Sequence, residues 1–277
     1  MPELPEVETV KRGLQPVLEG VVIKEAIARR ANLRFPIPED FTERLQGNRV
    51  TSLRRRSKYI LIDFEDGLIV ILHLGMSGRV TIYKDGTPVE IGKHDHVSLI
   101  TERGDHIVYT DPRRFGLIVF TSVDEADTHA LLANIGPEPL GNSFNADVLN
   151  TAFSGKRTNI KNALLDQRIV AGLGNIYVCE TLWRAGIHPE RQAQSLDAGE
   201  TESLVPIIRE ILQAAIAAGG SSLKDYAQVD GELGYFQHSF KVYGNEGGAC
   251  HNEACASVIE RIVQSNRSTF FCPTCQK

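Results

Sequence analysis

The stretch that decides the fold is residues 50–73, VTSLRRRSKYILIDFEDGLIVILH. Apolar and polar residues alternate over much of its length, which is the period of a β-strand. Asp66-Gly67 stands between two apolar runs, and this dipeptide is typical of a tight hairpin turn. We therefore predict three antiparallel strands here, at Val50–Arg56, Tyr59–Phe64 and Leu68–His73.

The same period continues on both sides of this stretch. Further short strands are predicted at Val21–Ala28, Arg79–Tyr83, His96–Thr101, Ile107–Thr110 and Leu117–Phe120. About eight strands without long intervening helices are typical of an antiparallel sandwich or barrel. Residues 6–18 have helical spacing instead, although Pro16 predicts an early end to that helix.

The pattern changes after the turn-rich segment 136–143. Helical spacing then predicts helices at Ala146–Phe153, Ile160–Leu165, Asn175–Ala185 and Leu196–Ala217, the last with a kink or a later start at Pro206. The predicted fold class is α+β: an N-terminal helix with an antiparallel β-sandwich, a C-terminal helical domain and a cysteine-bearing module. The predicted boundaries are 1–135, 136–241 and 242–277.

Composition indicates a globular protein of 277 residues with a formal net charge of −5. The longest apolar run, Leu68 to Leu72, is far too short to span a bilayer. The acidic start differs from a secretory signal, so we expect a cytoplasmic protein that makes no membrane contact. The basic residues are clustered, which favours local phosphate binding despite the negative net charge.

The strongest local signal for chemistry is a set of four cysteines: Cys250, Cys255, Cys272 and Cys275. Two cysteine pairs separated by a short polar hairpin supply the four thiolates of a tetrahedral Zn²⁺ site. His251 is a poorer alternative to Cys255. Because a unit of this size buries too little core to fold unaided, we predict one structural zinc ion.

The beginning of the chain, Met1-Pro2-Glu3-Leu4-Pro5-Glu6, is a second candidate for chemistry. If Met1 is removed, Pro2 becomes a terminal secondary amine. An α-amino group titrates near pH ~8, so part of it is neutral and nucleophilic in the cell. Such an amine attacks a carbonyl-like carbon to give a Schiff base, and a nearby carboxylate moves the protons. The same residues are also typical of an ordinary helix start.

Three further features each have a functional and a plain structural interpretation. The turn Gly172-Leu173-Gly174-Asn175 leads into a helix and suits a phosphate, but it also suits an ordinary helix start. Lys58 is either a solvated strand edge or, if it folds against the N-terminus, a catalytic group. Met76 and Phe115 lie on glycine-flanked loops and are either packed residues or wedges that insert between bases.

Taken together and in order, these motifs resemble the bacterial formamidopyrimidine-DNA glycosylases, also called 8-oxoguanine-DNA glycosylases. The resemblance spans nearly the whole chain and rests on seven stretches and the four-cysteine module: PELPEVET at 2–9, SKY at 57–59, HLGMSG at 73–78, KHDHV at 93–97, TDPRRFG at 110–116, GPEPL at 136–140 and GLGNIY at 172–177.

The resemblance implies a base-excision repair enzyme that removes oxidised purines, chiefly 8-oxoguanine opposite cytosine and formamidopyrimidines, and then nicks the strand by β- and δ-elimination. Pro2 would attack C1′ and become the Schiff base, Glu3 would move protons and Glu6 would support the site. Lys58 would act in elimination, and Arg267 would bind phosphates and act in the later elimination.

The resemblance also implies a double-stranded DNA partner with oxidised purines or abasic sites, bound by a monomer in the bacterial nucleoid. Met76, Arg113 and Phe115 would fill the space left by the flipped nucleotide, with Arg113 on the orphaned cytosine. The helix pair around Gly174 would be a helix-two-turn-helix element. Further implied DNA contacts are His73, His94, Arg157, Lys161, Gly174 and Asn175, and the segment 221–234 with Lys224 and Tyr226 would close over the base.

Two alternatives remain open at this point. An endonuclease VIII-like enzyme for oxidised pyrimidines shares the superfamily, although Leu4, Met76 and Phe115 favour the purine enzyme. A non-catalytic zinc-finger DNA-binding protein is the other, and the presence of Pro2, Glu3 and Lys58 counts against it.

Overall fold

The computed structural model describes residues 2–221 and 234–277. The helices and strands of these residues follow the α+β order predicted above. In chain order they are α1 Leu4–Leu18, β1 Ile23–Ala28, α2 Phe41–Leu45, β2 Val50–Arg56, β3 Tyr59–Phe64, β4 Leu68–His73, β5 Arg79–Tyr83, β6 Asp95–Thr101, β7 His106–Thr110, β8 Leu117–Ser122, α3 Ala146–Phe153, α4 Ile160–Leu165, α5 Asn175–Ala185, α6 Ala198–Ala217, β9 Glu260–Gln264 and β10 Arg267–Phe271.

Strands β1 to β8 form two antiparallel sheets of four strands, ordered β1-β6-β7-β5 and β2-β3-β4-β8. One apolar core contains side chains from both sheets and from α1, including Leu14, Ile60, Val70 and Ile107. The register pairs Arg56 with Tyr59, so residues 57 and 58 alone make the turn between β2 and β3. The sandwich predicted from strand periodicity is confirmed.

The first helix starts earlier than its predicted range of 6–18, and Pro16 does not end it early. It begins at Leu4, and it runs past Pro16 to Leu18. Pro16 removes a single donor, whereas the next bond, from the Glu19 N–H to the Gln15 carbonyl, is intact at 2.9 Å. Val17 and Leu18 are buried, and this burial favours the last turn over an early end. The predicted early end is therefore wrong.

The later helices agree with their predicted positions, with one correction. α6 begins at Ala198, eight residues before Pro206, so the alternative of a later start is wrong. Leu204, Val205 and Ile208 are buried around the proline, so packing holds the helix across it. The short helix α2 was not predicted, because five residues carry too little periodicity.

The chain divides into two compact units. One comprises Met1–Ala133 with Ile216–Gln237, and the other comprises Asn134–Ala215 with His238–Lys277, so far as these residues are described. The second unit joins the helices α3 to α5 to the cysteine hairpin β9–β10. Among the described residues, no helix combines the length and apolar character needed to cross a membrane.

Candidate active site

The N-terminal residues are buried at the start of α1. Pro2 and Glu3 are both buried, and Pro5 lies in the first helical turn. The Glu3 N–H donates to Glu6 Oε2 at 2.9 Å, so the peptide that follows Pro2 is fixed by a carboxylate one turn further along. An amine at Pro2 would therefore start from a held backbone rather than from a frayed terminus.

Glu6 also binds the second segment of its unit, Ile216–Gln237. Its Oε1 accepts from the N–H and from the Oγ of Ser221, both at 2.9 Å, and its side chain is buried. The Glu6 carboxylate thus links the beginning of α1 to Ser221. The supporting role predicted for Glu6 has a physical basis in these three hydrogen bonds. Lys224 and Tyr226 lie outside the described residues.

Lys58 occupies the two-residue turn between β2 and β3. Ser57 in this turn has a φ of +54°, and its carbonyl accepts from Arg55 Nη1 at 2.9 Å. Lys58 is 8% exposed, so the alternative of a solvated strand edge is wrong. A buried amine on a fixed turn is a suitable group for acid–base chemistry.

An ion pair ties this turn to α1. Arg55 Nε lies 2.9 Å from Glu8 Oε2, and both side chains are nearly buried. Burial by itself raises the pKa of Glu8, but the charges and hydrogen bonds of Arg12, Lys11 and Arg55 outweigh it and hold the pKa below its usual value. Sequence analysis missed this pair because 47 positions separate its members.

The loops with Met76 and Phe115 join β4 to β5 and β7 to β8. Phe115 is 45% exposed although it is apolar, and the guanidinium of Arg113 lies 5.0 Å from its ring centroid. Met76 is half-buried, and His94 and Arg113 are exposed. An exposed aromatic ring stacked under an arginine is suited to enter a base stack.

His73 lies at the end of β4 beside the first of these loops. Its Nδ1 accepts the Gly75 N–H at 2.9 Å, and its ring packs against Tyr59 with centroids 5.0 Å apart. Burial, followed by the charge of Lys58, lowers the pKa of His73 to about 4. His73 is therefore neutral at pH 7 and holds the loop, and its contact with DNA stays a prediction.

We expect His73 to make the first unit less stable in acid. Its folded pKa lies below the unfolded value, so its contribution to stability is complete above about pH 6.5 and is lost as the pH falls toward 4. Between pH 7 and pH 5 the loss is about 2 kcal/mol. Urea unfolding of His73→Asn should show a correspondingly smaller fall in unfolding free energy between these two pH values.

The control for this measurement is His94→Asn, which changes an exposed histidine of the same unit. Its fall in unfolding free energy between pH 7 and pH 5 should stay larger than that of His73→Asn, because His73 is retained. Equal acid dependence in His73→Asn and His94→Asn would contradict the assignment of a strongly lowered pKa to His73.

In the second unit, the turn before α5 presents a helix start without a capping side chain. Gly174 is the N-cap and makes no side-chain cap hydrogen bond, while Gly172 has a φ of +80°. Gln167 braces the turn, donating to the Leu173 carbonyl at 2.7 Å and accepting from the Gly172 N–H at 2.8 Å. The open helix end is suited to an anion.

Asn175 connects this turn to the cysteine hairpin. Its Nδ2 donates to the Ser268 carbonyl at 2.8 Å, and its buried Oδ1 has no hydrogen-bond partner among the described residues. Ser268 follows Arg267, which is exposed and begins β10 after the tight turn at 265–266. The structure therefore brings together Asn175 and Arg267, which are 92 positions apart in the sequence. Arg157 is also exposed in this unit.

Lys161 requires a correction. It is completely buried, and its Nζ donates to Thr269 Oγ1 at 2.7 Å, which in turn donates to Gln264. Burial lowers the pKa of Lys161. The predicted DNA contact is wrong for this residue, because its charge lies in a polar pocket formed by β9 and β10. No local signal distinguished it from the exposed basic residues near it in sequence.

The four cysteines converge as predicted. Their Sγ atoms all lie within 4.8 Å of one another, with Cys250 and Cys275 at 3.8 Å and Cys255 and Cys272 at 3.7 Å. Tetrahedral Zn²⁺ with Zn–S bonds of about 2.3 Å places its sulfurs about 3.8 Å apart. The thiolates thus fit one structural zinc ion. Cys179 shares an apolar cluster with Cys250 and Cys272 but is not one of the four clustered thiols.

Comparison with known proteins agrees with these sites. A model of the formamidopyrimidine-DNA glycosylase N-terminal domain matches residues 1–118, the H2TH domain of the same glycosylase matches residues 135–227, and a zinc finger found in FPG and IleRS matches residues 253–277. The finger match begins after Cys250, and the geometry supplies this fourth ligand.

Curated relatives match over the full length. Formamidopyrimidine-DNA glycosylases from Ruegeria sp. (strain TM1040) and Jannaschia sp. (strain CCS1) are 55% and 56% identical, with 100% of each chain covered. Among solved structures, a Lactococcus lactis Fpg complex with abasic-site DNA has a TM-score of 0.90 at 36% identity, covering 99% of both chains. MutM bound to DNA with carbocyclic 8-oxo-G has a TM-score of 0.89, also at 36% identity, with 100% of both chains covered.

The fold and the site together define a DNA glycosylase with a structural zinc finger. Within that class, the chain belongs to the formamidopyrimidine-DNA glycosylase family.

Proposed function

We propose that this DNA glycosylase uses Pro2 as its nucleophile against oxidised purines in double-stranded DNA. The observation that carries the proposal is the burial of Pro2 and Glu3 at the start of α1, where the Glu6 carboxylate accepts the Glu3 N–H. Arg55 and Glu8 tie the turn of Lys58 to the same helix. The expected substrates are 8-oxoguanine opposite cytosine, formamidopyrimidines and abasic sites, in accordance with the family.

In the first step, the nitrogen of Pro2 attacks C1′ of the damaged nucleotide. The N–C1′ bond forms as the glycosidic bond breaks, and the leaving base takes up the proton that the Pro2 nitrogen loses. Glu3 then protonates the sugar ring oxygen, so that the ring opens and an iminium forms between Pro2 and C1′. The buried position of Glu3 keeps this carboxyl group away from bulk water.

Elimination follows from the iminium. Removal of a proton from C2′ expels the 3′ phosphate, and a second elimination expels the 5′ phosphate. We assign Lys58 to proton transfer and to the phosphate in the first of these steps, and Arg267 to the phosphate that leaves in the second. A cationic lysine also disfavours protonation of a nearby amine, which helps to keep Pro2 nucleophilic.

The base must leave the stack before Pro2 can reach C1′. We assign Met76, Arg113 and Phe115 to the space that the extruded nucleotide vacates, with Arg113 on the orphaned base. We assign phosphate contacts to His94, Arg157, Gly174 and Asn175. We also assign a DNA contact to His73, which makes it as an uncharged imidazole. The exposure of Phe115 and the uncapped start of α5 support these assignments.

The four cysteines would hold a zinc ion that stabilises the hairpin. With four thiolate ligands, the ion would have no open position for water or substrate. We also propose a three-part organisation with boundaries at 1–135, 136–241 and 242–277, a monomeric state, and a cytoplasmic location at the nucleoid.

Borohydride trapping tests the proposed activity. Incubation with a duplex that contains 8-oxoguanine opposite cytosine should release the base and give a covalent protein–DNA adduct, and the matched guanine duplex should give none. Preference for a duplex with an oxidised pyrimidine would indicate the endonuclease VIII-like alternative. Binding without any adduct would indicate the non-catalytic one.

A further inference from the structure

A buried carboxylate joins the two loops that carry the proposed wedge residues. Asp111 is completely buried at the end of β7. Its Oδ1 accepts from Ser77 Oγ at 2.7 Å. Its Oδ2 accepts from the Gly116 N–H at 2.8 Å and from the Tyr109 hydroxyl at 3.2 Å. Each carboxylate oxygen therefore binds a different loop.

These bonds reach the immediate neighbours of all three wedge residues. Ser77 follows Met76 and Gly116 follows Phe115, while Ser77 Oγ also accepts the Arg113 N–H at 3.2 Å. One carboxylate thus holds Met76 and Arg113 through the Ser77 hydroxyl, and Phe115 through the Gly116 N–H.

The main chain of Asp111 extends the connection to a third loop. Its N–H donates to the His94 carbonyl at 3.0 Å, and its carbonyl accepts from His96 Nε2 at 2.9 Å. The backbone of His94, a proposed phosphate contact, is therefore fixed by the same residue.

The two wedge loops touch through their backbones. A methyl group on Gly75, which has a φ of +65°, would overlap the backbone of Phe115 and Gly116. A methyl group on Gly116 would overlap the Tyr109 hydroxyl. Contact this close prevents one loop from sliding past the other, so the carboxylate orients two surfaces that already fit.

We propose that Asp111 is a positioning residue that presents Met76, Arg113 and Phe115 as one rigid wedge and thereby sets specificity for the base opposite the lesion. The inference rests on the proposed function, because it needs a duplex in which a nucleotide is extruded. A carboxylate can accept all three donors at once, whereas an amide keeps one acceptor oxygen and turns its NH2 toward either the Gly116 N–H or the Ser77 hydroxyl, so at least one of the two loop bonds is lost or reversed.

The test measures the Asp111→Asn variant and the unchanged chain on three substrates: 8-oxoguanine opposite cytosine, 8-oxoguanine opposite adenine, and an abasic site in a single strand. We expect kcat/KM for 8-oxoguanine opposite cytosine to fall about tenfold or more, and the preference for cytosine over adenine to fall about fivefold. Elimination at a preformed abasic site in a single strand should stay within about twofold, since it needs neither extrusion nor an opposite base. A merely structural defect would lower all three rates together.

The matched control is Asp63→Asn. Asp63 is a half-buried aspartate of the same unit that bonds Ser52 and Arg54, so its replacement should leave the opposite-base preference unchanged. If Asp111→Asn does not fold, Ser77→Ala removes one arm of the connection and should show the same selective loss to a smaller degree.

The outcomes separate this inference from the proposed function. An equal fall on all three substrates, or an unchanged cytosine preference in both Asp111→Asn and Ser77→Ala, overturns the positioning role. If the unchanged chain does not excise 8-oxoguanine from any duplex, the proposed function fails instead.

Discussion

A chain with one additional, uncleaved residue before Pro2 should lose borohydride trapping on 8-oxoguanine DNA by roughly a thousandfold or more, the scale on which loss of a nucleophile acts. The extension turns the Pro2 nitrogen into an amide, whose lone pair is delocalised into the carbonyl. This delocalisation removes the attack on C1′.

The matched control is the same chain after a protease removes the extension. It should regain full trapping, with intact mass confirming that Pro2 is the first residue. The affinity of the extended chain for the duplex is measured separately. It should be retained, because the extension leaves the basic residues of the second unit unchanged. Trapping that persists in the uncleaved chain would show that another amine forms the Schiff base.

Replacing Cys272 with serine should remove the zinc ion and weaken binding of lesion DNA by roughly a hundredfold. Zinc contributes about 10 kcal/mol or more to small finger domains, and a two-stranded hairpin is marginal without such support. Loss of the hairpin would also remove Arg267 and the Ser268 carbonyl that orients Asn175. Metal content per chain and affinity for a duplex with a tetrahydrofuran abasic analogue measure the two effects.

Cys179→Ser is the control for this prediction. Cys179 is buried in the apolar cluster that also contains Cys250 and Cys272, but it is not one of the four clustered thiols. The variant should keep one zinc ion per chain and nearly normal affinity. A Cys272→Ser protein that retains stoichiometric zinc would contradict the four-cysteine assignment.

Much of the fold was predictable because it depends on local patterns. Alternation of apolar and polar residues located all eight strands of the sandwich to within two residues at each end, and Asp66-Gly67 indicated a hairpin turn that the structure contains. The early end predicted at Pro16 and the later start considered at Pro206 failed for one reason. Pro16 and Pro206 each remove one donor, but burial of their apolar neighbours is worth more than that bond.

The sequence predicted candidate site residues where the residue types are chemically unusual. It did not predict the environment of residues whose role depends on how they are buried. A terminal proline beside a glutamate, and two cysteine pairs, suggest their chemistry without coordinates. Lys58 and Lys161 are both buried lysines in basic stretches, yet one lies on the turn tied to α1 and the other in a polar pocket of the finger. Sequence spacing contains no information that separates them.

The sequence by itself determined the strand and helix order, the family and the zinc-binding cysteines, because periodicity and residue type act locally. The tertiary structure alone decided which charges meet. Glu8 binds Arg55 across 47 positions, Glu6 binds Ser221 across 215, and Asp111 joins two loops that are 34 positions apart. Such contacts depend on desolvation and on the packing of distant elements, which no local pattern encodes.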